Sequence, residues 1–284
     1  MSEGQAGKVW LVTGASVGLG RELVELLLAQ GASVVATARR VGLLKELEAR
    51  YPATALALGL DVTKGEQIEA AVGAAVARFG QIDVLVNNAG YGMVGAVEES
   101  AESEYRPMFE TNVFGLIAMT QAVLPGMRAR GSGTIVNVSS IGGLVSTPGF
   151  GLYNATKFAV EGLSEALVQE VAPLGIKVMI VEPGPFRTEF LASGEMPAAK
   201  RIADYEATAG RMREYAEKQN GRQPGDPKKA VAAIVRAVES GRPPVHLLLG
   251  AMTIPRLQGK VDAMLQDVAE WRETTLGADY AAGE

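Results

Sequence analysis

Tyr153 and Lys157 form the pair of side chains in this sequence that is best suited to acid–base chemistry. They lie four positions apart, and on a helix that spacing places both side chains on one face. A free phenol has a pKa of about 10 and is a poor base at neutral pH, whereas a nearby ammonium group favours the phenolate and lowers that pKa. The pair therefore predicts a tyrosine that exchanges a proton with a substrate. A partly exposed tyrosine over a solvated lysine would give the same spacing, so the pair alone is weak evidence.

A serine hydroxyl follows a strand pattern shortly before this pair. Ser140 lies thirteen residues before Tyr153, where the apolar run 134–138 ends. Such a run predicts a buried strand. A hydroxyl that leaves the end of that strand could hold a carbonyl oxygen beside the phenol.

Short apolar runs alternate with helical patterns along the chain, and this rhythm predicts an α/β fold. The predicted strands are 8–13, 33–38, 53–60, 82–86, 134–139, 176–181 and 245–249, and the predicted helices are 19–30, 64–79, 102–130, 153–172, 226–239 and 256–272. Pro107 and Pro125 predict breaks or bends in the helix 102–130. Strands that alternate with helices imply one doubly wound parallel-sheet Rossmann domain, with about seven strands and helices on both faces. Ligands then bind near the switch point between the first and fourth strands.

The composition limits the classes of function. The chain has 284 residues, of which 48% are hydrophobic, which is ample for one large core and favours a single domain over 1–284. A net charge of −5 and the lack of a long basic run argue against nucleic acid as a partner. The chain has no cysteine and one histidine, His246, which excludes disulfides and a His/Cys zinc site. We expect a structural role for His246 within the last strand.

No membrane span and no secretory signal are expected. The stretch 131–156 has no charged residue, but it is rich in Gly, Ser, Asn, Thr and Pro, which predicts a buried strand, a loop and the start of a helix. The first residues lack a basic region followed by an apolar core. Together with the absence of cysteine, this predicts a cytoplasmic protein.

A glycine-rich turn separates the first strand from the first helix. Gly14, Gly18 and Gly20 stand in this turn, and strand, glycine turn and helix are the context of a dinucleotide-binding fingerprint. The glycines let the backbone approach a pyrophosphate, and the helix N-terminus offers N–H groups to it. The spacing Gly-x-x-x-Gly-x-Gly differs from that of the general fingerprint, and a plain tight turn is the alternative.

The residues after the second strand favour NADP(H) over NAD(H). An acid at this place binds the ribose 2′-hydroxyl, whereas an arginine accommodates a 2′-phosphate. No acid occurs between positions 32 and 45, and Arg39 and Arg40 follow the strand. Arg39 is the preferred candidate for the phosphate, and a merely solvated loop charge is the alternative.

Taken together, seven ordered elements resemble the short-chain dehydrogenase/reductase family, over about residues 8 to 190. The matching elements are Thr13-Gly14-x-x-x-Gly18-x-Gly20, Asp61, Asn87-Asn88-Ala89-Gly90, Asn112, Ser140, Tyr153-x-x-x-Lys157 and Pro183-Gly184-x-x-x-Thr188. The runs 110–115 and 158–163 look most like the branch that includes 17-beta-hydroxysteroid and retinol dehydrogenases.

The resemblance implies a catalytic role for four residues. Tyr153 would donate or take the proton at the substrate oxygen, and Lys157 would lower the tyrosine pKa and bind the nicotinamide ribose. Ser140 would hydrogen-bond the substrate oxygen, with Ser139 as the alternative serine. Asn112 would hold a water in a proton relay from Lys157.

The resemblance also implies a set of residues that bind the cofactor. The set includes Tyr153, Lys157 and Arg39. The residues expected around the pyrophosphate are Gly14, Ser16, Gly18, Leu19 and Gly20, and those expected at the adenine are Asp61 and Val62. Asn88, Ala89 and Gly90 would line the cleft, and Pro183, Gly184 and Thr188 would lie towards the carboxamide. One departure is Val17, where many NADP-dependent relatives carry a basic residue. Recognition of the 2′-phosphate would therefore depend on Arg39, alone or with Arg40.

Apolar residues near Tyr153 define the expected substrate class. The expected pocket residues are Tyr91, Met93, Ile141, Leu144, Phe150, Phe186 and Phe190. They favour a small apolar alcohol, ketone or aldehyde. The segment 186–225 is expected to be a substrate lid with one or two helices, although its outer half could equally be a solvated insertion. The segment 256–284 is expected to be a C-terminal helix and tail that packs on the domain or on another subunit.

Two other functions remain open at this point. The chain could reduce carrier-bound β-ketoacyl groups, with Arg128 and Arg130 meeting an acidic carrier. It could also be a non-catalytic regulator that binds the cofactor, although such a protein is expected to lose Tyr153 or Lys157. The family resemblance further implies a homodimer or homotetramer.

Overall fold

The computed structural model describes residues 7–192 and 197–280, and a parallel sheet organises this part of the chain. Its strands are β1 (Val9–Val12), β2 (Ser33–Ala38), β3 (Ala55–Gly59), β4 (Val84–Asn87), β5 (Gly133–Val138), β6 (Ile176–Pro183) and β7 (His246–Leu249). Their order across the sheet is β3-β2-β1-β4-β5-β6-β7, and all neighbours are parallel. The predicted α/β class with a doubly wound parallel sheet is confirmed.

Helices cover both faces of this sheet. They are α1 (Gly18–Ala29), α2 (Lys45–Arg50), α3 (Gly65–Phe79), α4 (Glu102–Phe109), α5 (Gly115–Arg130), α6 (Gly151–Val171), α7 (Arg211–Gln219), α8 (Pro227–Glu239), α9 (Thr253–Glu270) and α10 (Arg272–Leu276). The buried residues of α1 and α8 pack in one core cluster, and those of α3, α5 and α6 pack in a second cluster. The helices therefore lie in two layers with the sheet between them.

Strand β1 shows why both faces must be covered. Its four residues are all apolar and all buried, which is the pattern of a strand that is enclosed on both sides. Successive side chains point to opposite faces. Trp10 and Val12 accordingly join the cluster of α1 and α8, whereas Val9 and Leu11 join the cluster of α3, α5 and α6.

The order of the strands places a cleft at the carboxyl end of β1. Leu11 lies opposite Val35 of β2 on one side and opposite Leu85 of β4 on the other. The connections from β1 and β4 leave in opposite directions, which opens a crevice between their loops. This is the predicted switch point.

Side chains tie together the two loops that border this cleft. The Thr13 hydroxyl accepts hydrogen bonds from the backbone N–H groups of Asn88 and Ala89, each at 3.0 Å. The Asn88 amide donates to the carbonyl oxygens of Thr13 and Gly14 at 2.9 and 3.0 Å. The loop after β4 is thereby fixed against the glycine turn after β1.

A buried network of amides and hydroxyls connects strands β4 and β5 to the helices α5 and α6. Asn87 donates to Thr120 of α5 at 3.0 Å and to Asn137 of β5 at 2.9 Å. Asn137 donates in turn to Ser164 of α6 at 2.8 Å. Because an unpaired buried polar group is costly, these bonds fix the two strands relative to both helices. The first asparagine of the motif 87–90 is thus a structural residue.

The structure adds two helical features to the expected ones. A 3₁₀ turn (Val41–Leu44) after β2 leads into α2. This segment buries only Leu44 and Leu47, which is too few apolar residues to show a helical period. Pro107 lies inside α4 and Pro125 inside α5, and a π-helical turn at Glu110–Phe114 joins these two helices.

The segment 186–225 is mostly helical, apart from residues 193–196, which lie outside the described residues. It contains short turns at Glu189–Ala192 and Ala203–Tyr205, a π-type turn at Glu206–Gly210, and then α7. Its two ends are joined by backbone hydrogen bonds from Gly225 to Pro185 at 3.1 Å and from Arg187 to Gly225 at 2.9 Å. The segment is therefore a loop with a closed base.

A buried ion pair fastens this segment to the loop before α4. The guanidinium of Arg213 on α7 donates to Glu99 at 2.7 Å, and both side chains are buried. The backbone N–H groups of Ala96 and Ile202 also donate to this carboxylate, at 2.8 and 2.9 Å. Burial alone would raise the pKa of Glu99, but the bonds from Arg213 and the two amides lower it to about 2.

The C-terminal helix α9 lies on the surface. Apart from Thr253 in its first turn, its residues are exposed or half-buried, and the exposed ones include Val261, Met264, Leu265 and Val268. Within residues 7–192 and 197–280, no helix combines the length and the apolar character that are needed to cross a bilayer. Residues 281–284 of the expected tail lie outside the described part.

We predict that Glu99→Gln loosens the segment 186–225. The change leaves the buried Arg213 with only the exposed Glu206 as a counter-charge among the described residues, and breaking a buried pair costs about 3 kcal/mol. Limited proteolysis should cut the variant faster within this segment, and thermal unfolding should begin at a lower temperature. Glu98→Gln is the matched control, since Glu98 is exposed and accepts a hydrogen bond from the neutral hydroxyl of Tyr205. Equal cleavage rates for wild type and Glu99→Gln would contradict the prediction.

Candidate active site

Helix α6 brings Tyr153 and Lys157 together at the carboxyl end of β5. Tyr153 lies in the first turn of the helix and Lys157 one turn later, and both are buried. The Lys157 Nζ atom lies 5.8 Å from the centre of the tyrosine ring. It donates a hydrogen bond of 2.8 Å to the carbonyl oxygen of Val138, the last residue of β5. The end of the strand thus fixes the ammonium group below the phenol.

Ser140 joins the pair as predicted from its position after the strand. It caps the 3₁₀ turn Ile141–Gly143, and its Oγ atom accepts the backbone N–H of Gly142 at 3.0 Å. Its hydroxyl interacts with the phenol of Tyr153 and favours the phenolate. Ser139 faces a different way, since its buried hydroxyl lies beside Glu161. Ser140 is therefore the serine of this cluster.

The protonation of the pair differs from the expectation. Burial raises the pKa of Tyr153 to about 12, although the hydrogen bond with Ser140 acts in the opposite direction. Burial also lowers the pKa of Lys157 to about 8, while the charge of Glu161 opposes this change. These side chains alone do not lower the tyrosine pKa, because loss of hydration outweighs the hydrogen bond with Ser140. At neutral pH the phenol carries its proton and suits the donation of that proton.

Asn112 is held by the π-helical turn between α4 and α5. Its side-chain amide donates to the carbonyl oxygen of Tyr91 at 2.9 Å and to the hydroxyl of Thr156 at 3.1 Å, and its Oδ1 atom accepts the N–H of Tyr91 at 3.1 Å. A π-turn inside a helix often occurs at a functional site. Here it directs the asparagine to Thr156 of α6, the residue before Lys157.

Aromatic and sulfur-containing side chains surround the phenol. Tyr91, Met93 and Phe150 pack in one cluster with Tyr153. The Phe150 ring lies 6.0 Å from the tyrosine ring, and the Phe190 ring lies 5.5 Å from it on the side of the segment 186–225. Four of the predicted pocket residues therefore meet at Tyr153.

The other three predicted pocket residues are not among the described members of this aromatic cluster. Ile141 is buried and Leu144 half-buried in the turn after Ser140. Phe186 packs against Gly225 and Gly250, so its contacts lie at the base of the segment 186–225.

Sequence reasoning missed three members of the aromatic cluster. Tyr105, Met108 and Leu152 also belong to it. Met108 precedes Asn112 by four residues on a continuous helical path, and this spacing is the signal that could have identified it.

The glycine turn after β1 has the shape that a pyrophosphate requires. Gly14 and Gly18 have φ angles of +64° and +60°, which favour glycine. A Cβ atom on Gly20 would lie only 2.5 Å from the Asn88 amide and from the Gly14 carbonyl oxygen. Val17 precedes α1 and offers no side-chain hydrogen bond to the first N–H groups of the helix. The turn is thus compact, and the helix N-terminus lacks a side-chain cap.

A cleft of about 480 Å³ lies over this turn. Ser16 and Gly18 line one side of it, and Arg187 and Thr188 line the other side. A Cβ atom on Gly18 would come within 3.6 Å of Thr188, so the loop after β6 faces the glycine turn closely. The uncapped helix N-terminus and the guanidinium of Arg187 fit a diphosphate group. Arg21, Glu22 and Glu189 also line the cleft. Leu19 is half-buried and packs on the core of α1, so only its backbone is available to such a ligand.

Arg39 and Asp61 lie near each other at the adenine end of the expected cleft. Arg39 is exposed directly after β2. Burial of Asp61 would raise its pKa, but two hydrogen bonds from Thr63 and the charge of Arg39 lower it. Val62 is buried against Gly115 of α5, where a Cβ atom would lie 2.6 Å from it. The Oδ1 atom of Asp61 accepts both hydrogen bonds from Thr63 and is thus committed to its own turn.

Gly90 connects the cofactor cleft with the catalytic cluster. A Cβ atom on Gly90 would lie 3.0 Å from Asn112 Oδ1 and 3.8 Å from Lys157 Nζ. Ala89 packs on the core behind it. The motif 87–90 therefore brings the backbone next to the side chains of α6 and of the π-turn.

The loop after β6 closes the cleft from the opposite side. Pro183 is the last residue of this strand, and the backbone N–H of Gly184 donates to Leu249 of β7 at 2.8 Å. The N–H of Thr188 donates to the carbonyl oxygen of Phe186 at 2.9 Å. This turn holds Thr188 beside the glycine turn.

Comparisons with known proteins agree with this architecture. A family model described as short chain dehydrogenase matches residues 8–197. An oxidoreductase of Botryotinia fuckeliana is 35% identical over 272 residues, which cover 95% of this chain and 99% of that protein. A 3-ketodihydrosphingosine reductase of Bacteroides thetaiotaomicron is 38% identical, with coverage of 86% and 88%.

Solved structures resemble the whole described fold. A short-chain dehydrogenase from Streptomyces avermitilis is 46% identical with a TM-score of 0.88, over 96% of this chain and all of that one. A short chain dehydrogenase from Burkholderia cenocepacia in complex with NADP is 29% identical, with a TM-score of 0.72 and coverage of 94% and 98%. A 3-ketoacyl-(acyl-carrier-protein) reductase from Brucella melitensis complexed with NADH is 28% identical, with a TM-score of 0.72 and coverage of 86% and 97%. By its family model, its relatives and its fold, the chain belongs to the short-chain dehydrogenase family and is an oxidoreductase.

Proposed function

We propose that this chain is an NADP(H)-dependent oxidoreductase that interconverts an apolar secondary alcohol and a ketone, or an aldehyde, by hydride transfer. One observation carries this proposal. The buried phenol of Tyr153 lies between an apolar aromatic cluster and the side chains of Ser140 and Lys157. A protonated phenol in an apolar pocket is suited to protonate a carbonyl oxygen that accepts a hydride at its carbon.

Each side chain of the site has a separate role in the proposed reaction. The bound cofactor supplies or accepts the hydride. Tyr153 gives its proton to the substrate oxygen in the direction of reduction, and takes it back in the direction of oxidation. Ser140 donates a hydrogen bond to the same oxygen and so orients the carbonyl group. Lys157 stabilises the negative charge that forms on the phenol, and Asn112 maintains the position of α6 beside the motif 87–90.

The choice of NADP(H) over NAD(H) rests on Arg39. This arginine is exposed directly after β2, where a 2′-phosphate of the adenosine would lie. No acid between positions 32 and 45 is available to bind a free 2′-hydroxyl. Related structures hold either cofactor, so family membership alone does not decide between them.

The substrate class rests on the cluster around Tyr153. Met93, Phe150 and Phe190 offer apolar contacts there. A 38%-identical relative is named for the reduction of 3-ketodihydrosphingosine, a ketone on a long apolar chain. This supports a ketone with an apolar substituent. The branch of 17-beta-hydroxysteroid and retinol dehydrogenases stays a prediction.

Two alternatives are less favoured. A reductase of carrier-bound β-ketoacyl groups has a structural neighbour, but the guanidinium of Arg130 donates to the carbonyl oxygen of Ile82 and is partly committed to the fold. Carrier-bound substrate that is turned over no faster than the free thioester would exclude this alternative. A regulator without turnover would not require the intact set of Tyr153, Lys157 and Ser140.

The domain organisation follows from the same proposal. We infer one catalytic domain over 1–284, in which 186–225 acts as a substrate lid, because Phe190 in this segment contacts the ring of Tyr153. The lid would exclude water from the reacting atoms.

We further infer a homodimer or homotetramer, because Phe114 and Phe158 on the helices next to the site are about half exposed. The segment 256–284, with its exposed apolar residues on α9, is a second candidate for subunit contact.

We predict that Tyr153→Phe abolishes turnover and leaves cofactor affinity nearly unchanged. The variant removes the proton donor but little packing, and a positioned acid contributes at least about 100-fold to the rate. Steady-state reduction of an apolar ketone and fluorescence titration with NADPH measure the two quantities. Tyr105→Phe is the matched control, since Tyr105 lies in the same cluster. Normal turnover by Tyr153→Phe would refute the mechanism.

We predict that Arg39→Ala weakens NADPH binding much more than NADH binding. Loss of a charge-assisted hydrogen bond costs about 1.5–3 kcal/mol, which corresponds to about a 10- to 100-fold rise in the Kd for NADPH. Titration of both cofactors against wild type, Arg39→Ala and the neighbouring control Arg40→Ala measures this. An equal loss for NADPH and NADH would defeat the assignment of the phosphate site.

A further inference from the structure

Helix α9 leaves the domain after its first turn. Its base is fixed, since Thr253 is buried and the guanidinium of Arg256 donates to the hydroxyl of Thr147 at 2.7 Å. Beyond this base, every residue of 258–280 is exposed. Helices in proteins gain most of their stability from tertiary packing. A helix of 18 residues with so little packing in the described part of the chain therefore requires a partner.

An apolar stripe runs along this projecting helix. Its six residues follow one another at alternating steps of three and four positions, and they are Ile254, Leu257, Val261, Met264, Val268 and Trp271. The first of these steps ends at the half-buried Leu257, and the exposed fractions of the other five lie between 39% and 69%. Such alternation is the pattern by which two helices pack side by side over several turns. We call these six residues the α9 stripe.

The α9 stripe matches a second copy of itself in the antiparallel direction. About a centre between Asp262 and Ala263, each residue of the stripe meets a residue of the other stripe. The facing residues are Ile254 and Trp271, Leu257 and Val268, and Val261 and Met264. Two-fold symmetry forms each of these contacts twice, and in each of them a larger side chain meets a smaller one. In a parallel pair, by contrast, the two bulky Trp271 side chains would meet at one level.

The charges beside the α9 stripe fit the same arrangement. Lys260 and Asp267 border the stripe on one side, and the antiparallel pairing places Lys260 of each copy beside Asp267 of the other copy. Within the described part of the chain, neither side chain forms an ion pair. In a parallel pair Asp267 would meet Arg272, but Lys260 would face the apolar Leu265. Antiparallel pairing therefore gives both charges of this side a partner of opposite sign.

The base of α9 offers an apolar surface to the tip of a second α9. Met252 and Ile254 are exposed where the helix leaves the domain, and Trp271 and Leu276 are exposed at its far end. A helix of this length extends about 27 Å. Antiparallel pairing brings the tip of each helix to the base of the other, so the apolar residues of both ends are covered together.

We propose that two copies of this chain pair through α9, in antiparallel direction and about a two-fold axis near Asp262 and Ala263. The inference rests on the proposed homo-oligomer and assigns one of its contacts, but it does not depend on the catalytic activity. A dimer would use this contact alone, whereas a tetramer would combine it with the helices that carry Phe114 and Phe158.

Disulfide formation tests the direction of the pairing, because the chain has no cysteine of its own. Ile254 and Trp271 lie about 25 Å apart along one helix, which is too far for a disulfide within one chain or between like positions of an antiparallel pair. We expect the double variant Ile254→Cys/Trp271→Cys to form covalent dimers under mild oxidation, and each single variant to form none. Gln266→Cys, on the side of α9 opposite the stripe, is the matched control and should not cross-link.

Sedimentation of the full chain measures the strength of the contact. We expect Val261→Asp to raise the Kd of the pair at least about 100-fold, because it places two charges in the apolar centre, and so to produce the next smaller assembly. Gln266→Asp introduces the same charge outside the stripe and should change nothing. Lys260→Glu should raise the Kd about tenfold, since two attractive pairs become repulsive, and Lys260→Glu/Asp267→Lys should restore it.

Three results would overturn the inference. The first is a single Ile254→Cys variant that cross-links with itself, which indicates parallel pairing. The second is an oligomer that Val261→Asp leaves intact and the double cysteine variant does not cross-link, which refutes the contact through α9 but not the proposed homo-oligomer. The third is a wild-type chain that sediments as a monomer, which refutes both. Absence of ketone reduction in an oligomer that responds as expected would count only against the proposed catalytic function.

Discussion

The burial of a phenol and an ammonium group against the end of one strand is the constraint on which the rest of the site depends. Removing Tyr153 and Lys157 from water raises the pKa of the first and lowers the pKa of the second. The carbonyl oxygen of Val138 fixes the ammonium, and Ser140 interacts with the phenol. A neutral phenol is thereby held at the wall of an apolar cluster, where proton transfer to a substrate oxygen becomes possible.

The loops at the carboxyl ends of the strands place the expected cofactor cleft beside this phenol and ammonium group. Thr13 and Asn88 tie the loop after β1 to the loop after β4, and Gly90 carries the latter loop to Asn112 and Lys157. A ligand in the crevice at the switch point therefore reaches the catalytic cluster along a continuous path of backbone. The loop with Thr188 and the segment with Phe190 close this path from the other side.

Much of this could be predicted from the sequence, because the governing patterns are local. Buried parallel strands appear as apolar runs, and the four-residue spacing of Tyr153 and Lys157 already fixes their common face. The pKa of Tyr153 could not be predicted, since it depends on burial by Met93, Met108 and other residues distant in the chain. The π-turn at Asn112 was also hidden, because the turn leaves the helical pattern on both sides intact. The contacts of Phe186 with Gly225 and Gly250 could not be predicted, because these glycines are distant from it in the chain.

The central claim is that a buried, protonated tyrosine and a bound nicotinamide cofactor together reduce an apolar carbonyl compound. The most direct measurement titrates the purified protein with NADPH and with NADH, then adds a panel of apolar ketones and aldehydes in the same cuvette while cofactor absorbance is followed. The account predicts tighter binding of NADPH and its oxidation by at least one ketone, with one alcohol formed per NADPH consumed. Tight binding of NADPH that no apolar carbonyl compound oxidises would contradict the account and favour a cofactor-binding regulator.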